Sequence, residues 1–126
     1  MSIFGLGIDI VNVKRIEKIF YKNKQKFVSK ILHKEELNLK KISPDIVAKK
    51  FAAKEAFSKA IGTGIGSTIM FNEILITHSK SGRPNIKLSK NVEKRVLTKL
   101  KLKKIKFFLS ISDDYPFTVA TVIISN

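Results

Sequence analysis

Ser43-Pro44-Asp45-Ile46-Val47-Ala48-Lys49-Lys50-Phe51-Ala52-Ala53-Lys54-Glu55-Ala56-Phe57-Ser58-Lys59-Ala60-Ile61-Gly62 is the stretch on which the architecture turns. Ser43 offers a side-chain oxygen to free helix amides, Pro44 suits a first turn, and Asp45 faces the positive end of the helix dipole. Val47, Phe51, Ala52, Phe57, Ala60 and Ile61 then form an apolar stripe at helical spacing. Gly62 can take the left-handed conformation that ends a helix, so one helix is predicted from the Ser43 cap to Ile61.

Upstream, residues 3–11 mix β-branched side chains with Gly5 and Gly7. That pattern predicts a buried strand lying close to another backbone or a ligand, with Asp9 near its end. Asn12 is placed to cap a second helix whose apolar residues are Val13, Ile16, Ile19 and Phe20, leaving Lys14, Arg15 and Lys18 toward water. Residues 27–42 read as one or two short helices among many charges. Downstream, 71–78 and 85–88 read as strands joined by the turn residues Ser81-Gly82-Arg83-Pro84. Residues 91–102 repeat apolar positions at helical spacing. Two closing strands, 105–112 and 117–125, flank Asp113-Asp114-Tyr115-Pro116 as a second hairpin. Helices grouped early and antiparallel strands grouped late predict an α+β fold, a single compact domain over residues 1–126 with an antiparallel sheet packed against helices.

Composition agrees with one packed domain: 126 residues, 44% hydrophobic and 28% charged. With no cysteine there is no disulfide framework, thiolate metal site or cysteine nucleophile. The C-terminal apolar run is far shorter than the ~20 residues of a membrane-spanning helix. The apolar start lacks a basic lead-in and a small-residue cleavage site and carries Asp9, so a cytoplasmic protein is expected, without membrane insertion. Twenty-five Lys and Arg against ten Asp and Glu give +15, which favours an anionic partner. The same excess, nearly all Lys and accompanied by abundant Ile and Asn, is also what an A+T-rich genome produces.

Two carboxylates stand out. Asp9 at a strand end needs a hydrogen-bond network, a cation or a metal if it is buried; a helix cap or a salt bridge would serve equally well. Glu55 sits among small and aromatic residues with Lys59 four positions on, which as an ordinary helix pair is worth ~0.3 kcal/mol. The functional alternative joins Glu55 to Asp9 as two oxygen ligands for Mg²⁺, with Lys59 facing a phosphate. Gly62-Thr63-Gly64-Ile65-Gly66 permits close backbone approach but lacks the Lys-Ser or Lys-Thr of a nucleotide-hydrolase phosphate loop, so helix termination is its simpler role. His33 and His78 are far apart and read as surface residues; serine–histidine catalysis has no support.

Gly7-Ile8-Asp9-Ile10-Val11 with Arg15-Ile16, followed by Phe51-Ala52-Ala53-Lys54-Glu55-Ala56-Phe57-Ser58-Lys59-Ala60 and Gly62-Thr63-Gly64, resembles the holo-[acyl-carrier-protein] synthases, the 4'-phosphopantetheinyl transferase family. Weaker matches at Phe27, Ile31-Leu32, Glu35-Glu36-Leu37, Gly82-Arg83-Pro84 and 120–124 extend the resemblance over nearly the whole chain. It implies transfer of 4'-phosphopantetheine from coenzyme A to a serine of apo acyl carrier protein, releasing adenosine 3',5'-bisphosphate. It further implies Mg²⁺ on Asp9 and Glu55, and coenzyme A held by Lys59, Gly62, Gly64, Arg83 and Pro84. Lys14, Arg15 and Lys18 would dock an acidic carrier, and the assembly would be a homotrimer with sites between subunits. After Ser110-Ile111-Ser112 this chain has Asp113 where the family often carries His. The resemblance therefore leaves the proton acceptor as Asp113 or a metal-bound water, and Asp113 joins Asp9, Glu55 and Lys59 as a candidate catalytic residue. The competing class is a small basic nucleic-acid-binding protein, which the lysines of 99–106 would support. No nucleic-acid module is recognisable, and at least one of Phe107 and Phe108 should face the core.

Overall fold

The computed structural model describes all residues, Met1–Asn126. In chain order the elements are β1 (Ile3–Asn12), α1 (Val13–Lys22), α2 (Lys24–Ile31), a 3-10 turn (Glu36–Asn38), α3 (Pro44–Ala60), a second 3-10 turn (Phe71–Glu73), β2 (Leu75–His78), β3 (Pro84–Lys87), α4 (Lys90–Leu100), β4 (Lys106–Asp114) and β5 (Phe117–Ser125). A three-stranded antiparallel sheet has the order β1-β5-β4, and β2 with β3 forms a separate two-stranded sheet. The α+β expectation matches this architecture.

α3 is the axis of the domain. Ser43 caps it by accepting the Ile46 N–H at 3.4 Å, and Gly62 follows with φ +81°. Its face against β1 and β5 and its face toward α1 and α2 are both covered. Burial therefore extends well beyond the predicted stripe, to Ala48, Ala53, Lys54, Ala56 and Ser58, while Phe51 is only half-buried. A helix enclosed on several sides has no single wet face to reveal it by periodicity. β1 lies directly on α3 because it has no side chain at two contact points. A Cβ on Gly5 would sit 1.9 Å from the Ala60 carbonyl oxygen, and one on Gly7 1.8 Å from that of Ala56. The expected close backbone approach is thus strand to helix.

Several boundaries differ from expectation. Residues 71–73 are a 3-10 turn rather than the start of a strand, closed by the Glu73 carboxylate accepting the Met70 N–H at 3.0 Å. α2 begins at Lys24, capped by Asn23, and residues 32–43 contain only the short 3-10 turn. β4 continues to Asp114, so the hairpin connection shrinks to Tyr115-Pro116 and Asp113 sits inside a strand opposite Thr118. Ile19 stays exposed on α1, whereas Val13, Ile16 and Phe20 are buried as predicted. His33 is half-buried rather than a surface residue: its ring accepts the Glu35 N–H at 3.0 Å. Phe107 turns inward onto Phe57, with ring centres 5.1 Å apart, and Phe108 lies on the outer sheet face.

Candidate active site

Alternation along β1 decides which side chains reach α3. Gly5, Gly7, Asp9 and Val11 face the helix, and Leu6, Ile8 and Ile10 face away. With both glycines in contact, Asp9 is drawn against the C-terminal half of α3. Its Oδ1 accepts the Lys59 ammonium at 3.1 Å, and the same ammonium donates to the Ile8 carbonyl at 3.0 Å. Lys59 therefore bridges to β1 instead of pairing with Glu55 along the helix.

Glu55 completes the group. Burial, and then the negative charge of Asp9, push its carboxyl above the ordinary value, with Lys59 offsetting part of the effect. Two carboxylates close enough for the charge of Asp9 to oppose ionisation of Glu55, with one ammonium held on Asp9 alone, form a site that gains from a further cation. No cluster of three His, Cys, Asp or Glu accompanies them. Such a two-carboxylate donor set fits Mg²⁺, which takes one or two carboxylates and fills its other positions with phosphate oxygens and water. Gly62 (φ +81°) and Gly64 (φ +68°) follow directly on α3 and leave the space beside their backbones open.

The other candidate residues lie elsewhere. A cavity of about 370 Å³ is lined by Gly82, Pro84 and Asp113 together with Lys49, Lys50 and His78. Asp9, Glu55, Lys59, Gly62 and Gly64 are not among its lining residues. Asp113 pairs with Lys49 at 3.5 Å. Arg83 is exposed in the turn between β2 and β3, where its N–H donates to the Ser79 hydroxyl at 3.2 Å. The predicted residues thus separate into an Asp9–Glu55–Lys59 group with the Gly62 loop, and a cavity group at Pro84 and Asp113. Lys14, Arg15 and Lys18 are all exposed on α1. Val13 N–H donates to the Pro116 carbonyl at 2.7 Å, and the Tyr115 hydroxyl donates to Glu17 at 2.8 Å. Both bonds join α1 to the hairpin that carries Asp113.

Sequence reasoning missed the cationic wall of the cavity and the ion cluster behind it. Lys54, fully buried, donates to Glu36 at 2.5 Å and to the Ile31 carbonyl at 2.7 Å. Lys50 lies 3.4 Å from the same Glu36 carboxylate. Burial drives the Lys54 ammonium down to about 8 against the opposing pull of Glu36. Lys50 and Lys54, four residues apart on one helix face, were the signal available in the sequence, since such spacing puts both on one partner.

The profile of the 4'-phosphopantetheinyl transferase superfamily matches residues 5–120. Over 125 residues the chain is 45% identical to the holo-[acyl-carrier-protein] synthase of Ruthia magnifica subsp. Calyptogena magnifica, covering 97% of this chain and 96% of that one. The crystal structure of holo-[acyl-carrier-protein] synthase from Neisseria meningitidis superposes with a TM-score of 0.87 at 36% identity, covering 99% of this chain and 100% of that one. The Helicobacter pylori holo-[acyl-carrier-protein] synthase, solved in complex with coenzyme A, gives a TM-score of 0.82 at 38% identity over 95% of this chain and 99% of that one. Fold and length agree along nearly the whole chain, which belongs to the 4'-phosphopantetheinyl transferase superfamily and, within it, to the holo-[acyl-carrier-protein] synthases.

Proposed function

We infer that this chain transfers 4'-phosphopantetheine from coenzyme A to a serine hydroxyl of an apo acyl carrier protein. The observation that carries the reading is the carboxylate pair of Asp9 and Glu55, fixed by strand-on-helix packing in a chain similar over its full length to holo-[acyl-carrier-protein] synthases. In the reaction the serine oxygen bonds to the phosphorus next to pantetheine, and the bond from that phosphorus to the bridging pyrophosphate oxygen breaks. Adenosine 3',5'-bisphosphate leaves, and the serine proton passes to a base. Asp9 and Glu55 would hold Mg²⁺, which when bound would supply positive charge where negative charge builds on the leaving group. Lys59, half-exposed, presents its one remaining N–H bond to the same charge. The open Gly62–Gly64 backbone admits phosphate oxygens without a side chain in the way.

Asp113 is our candidate acceptor for the serine proton; its partner Lys49 is half-exposed and holds the carboxylate toward the cavity. Pro84 and Arg83 are read as coenzyme A contacts beside it. Because these residues and Asp9–Glu55 line different surfaces of one chain, we read the working site as shared between subunits of a homotrimer. What supports this is the outer face of the large sheet. Leu6, Ile8 and Ile10 are 63%, 58% and 65% exposed and pair across β5 with Ile123, Thr121 and Val119. A contiguous apolar face of this kind is what subunit contacts cover. Lys14, Arg15 and Lys18 supply an exposed basic stripe suited to an acidic carrier.

The product side of the reaction tests the reading. Release of adenosine 3',5'-bisphosphate from coenzyme A, followed by chromatography, is expected only when apo carrier and Mg²⁺ are both present. Release without a carrier would instead make the chain a hydrolase.

A further inference from the structure

β2 is short, pairs on one side only with β3, and together with β3 and their connection contributes Ile76, His78, Gly82 and Pro84 to the lining of the cavity. Its free edge is not left to water. The Ile76 N–H donates to Glu36 Oε2 at 2.9 Å, and the Ile76 carbonyl accepts from Lys50 Nζ at 3.4 Å. Glu36 itself is 2% exposed, and its other oxygen takes Lys54 of α3 and the His33 N–H at 2.9 Å. One buried carboxylate therefore ties together the segment after α2, the central helix and the edge of the β2–β3 hairpin. It also anchors Lys50, a cavity-wall residue, beside Lys49 and His78. Two lysines share this one carboxylate, so the cluster keeps a net positive charge. Lys50 is its member on the cavity side.

We propose that Glu36 is a positioning residue for coenzyme A: it fixes the β2–β3 hairpin and the Lys50 ammonium relative to α3, and so sets the shape and the positive charge of the cavity bearing Pro84 and Asp113. The proposal rests on the reading of that cavity as part of the coenzyme A site. Glutamine at position 36 offers one acceptor oxygen to the two backbone N–H groups of His33 and Ile76, and Lys50 loses its anionic partner. The hairpin then keeps its packing of β3 against β4 and the core burial of Ile76 and Ile86, but no carboxylate tie on the free edge of β2. Glu36 touches neither Asp9 nor Glu55, so its removal acts on coenzyme A binding rather than on the carboxylate pair.

Glu36→Gln alone strands the Lys54 charge in the core, so the informative variant is Glu36→Gln combined with Lys54→Met, which removes both charges of the pair. Calorimetry with coenzyme A alone, and steady-state kinetics, are compared with wild type. The expected result is a folded protein whose Kd and KM for coenzyme A rise by about tenfold to a hundredfold, the scale of a misplaced binding group, while KM for the carrier stays within twofold. Glu36→Asp, which keeps the charge with a shorter reach, should fall between. Val96→Ala, which opens a core cavity on α4, should lower stability without moving coenzyme A affinity. If the double variant does not fold, Glu36→Asp decides: unchanged Kd overturns the proposal, as does unchanged Kd in a folded double variant or an equal loss in Val96→Ala. A wild-type protein that does not bind coenzyme A would instead overturn the functional reading.

Discussion

Asp9 shares its charge between an ammonium 3.1 Å away and the field of a second carboxylate, Glu55, whose proton is held more tightly through burial and the Asp9 charge. Neutral isosteres separate charge from shape. Asp9→Asn and Glu55→Gln should each lower turnover by roughly 10²- to 10³-fold, the range for losing one electrostatic contact in a transition state, with little change in melting temperature. Near-normal rates across a Mg²⁺ titration would remove the pair from the chemistry. Glu36 is the opposite kind of carboxylate. Burial pushes it up, but Lys54 and the backbone N–H groups of His33 and Ile76 outweigh that and hold it below its ordinary 4.5. A group whose folded value is depressed contributes stability above its unfolded value and loses it as pH falls through the folded one. Stability should therefore drop as pH falls below about 4.5, and this part of the acid sensitivity should be missing from the Glu36→Gln/Lys54→Met protein. Urea midpoints of the two proteins from pH 6 downward check it; parallel curves would show that Glu36 does not carry the effect.

β1 and α3 are held in register by the absence of side chains at Gly5 and Gly7, and this contact places Asp9. Gly7→Ala puts a methyl 1.8 Å from the Ala56 carbonyl oxygen, so strand and helix must separate. We expect a loss of about 3 kcal/mol or more and a fall in turnover larger than the loss of folded protein explains, measured by urea unfolding and by rate per folded molecule. α1 carries the proposed docking stripe. Arg15→Glu should raise KM for the carrier and leave coenzyme A affinity alone, with the defect shrinking as salt rises; equal losses for both substrates would point to damage in the site. Much of this level was legible in the sequence. The cap at Ser43, the stop at Gly62, the Asn12 cap and the period-3.6 apolar set of α1 are local signals, and local signals survive folding. The hairpin order was legible too, because Gly82, Pro84 and Tyr115-Pro116 punctuate it. The extent of burial of α3 was not, since Lys54 and Ser58 inside it read as polar: the partners of Lys54 at Glu36 and Ile31 are fixed only by tertiary contact, and Ser58 turns its hydroxyl back to the Glu55 carbonyl of its own helix. The placement of Asp113 within β4 was hidden for a related reason: two consecutive aspartates next to Pro116 look like turn chemistry, whereas cross-strand pairing with Thr118 and Phe117 keeps them in the ladder.

At the scale of the molecule, one chain presents two groups of candidate residues on different surfaces and an uncovered apolar sheet face. The homotrimer proposed above, built on that face, would account for both. Glu55→Gln and a separately inactive Asp113 variant, co-refolded, should regain partial activity because some interfaces pair one intact group from each chain, while neither parent refolded alone should. Mixed particles confirmed by native mass spectrometry yet wholly inactive would place each complete site within one chain. Charge is the other molecular property. At +15 the protein attracts many anions, so association with an acidic carrier is not by itself a sign of catalysis. The decisive measurement is the intact mass of a purified apo acyl carrier protein incubated with this protein, coenzyme A and Mg²⁺. A gain of one phosphopantetheine on the acceptor serine, absent when Asp9→Asn protein replaces wild type, is the result expected. A carrier that binds but keeps its apo mass, with coenzyme A intact, would contradict the account.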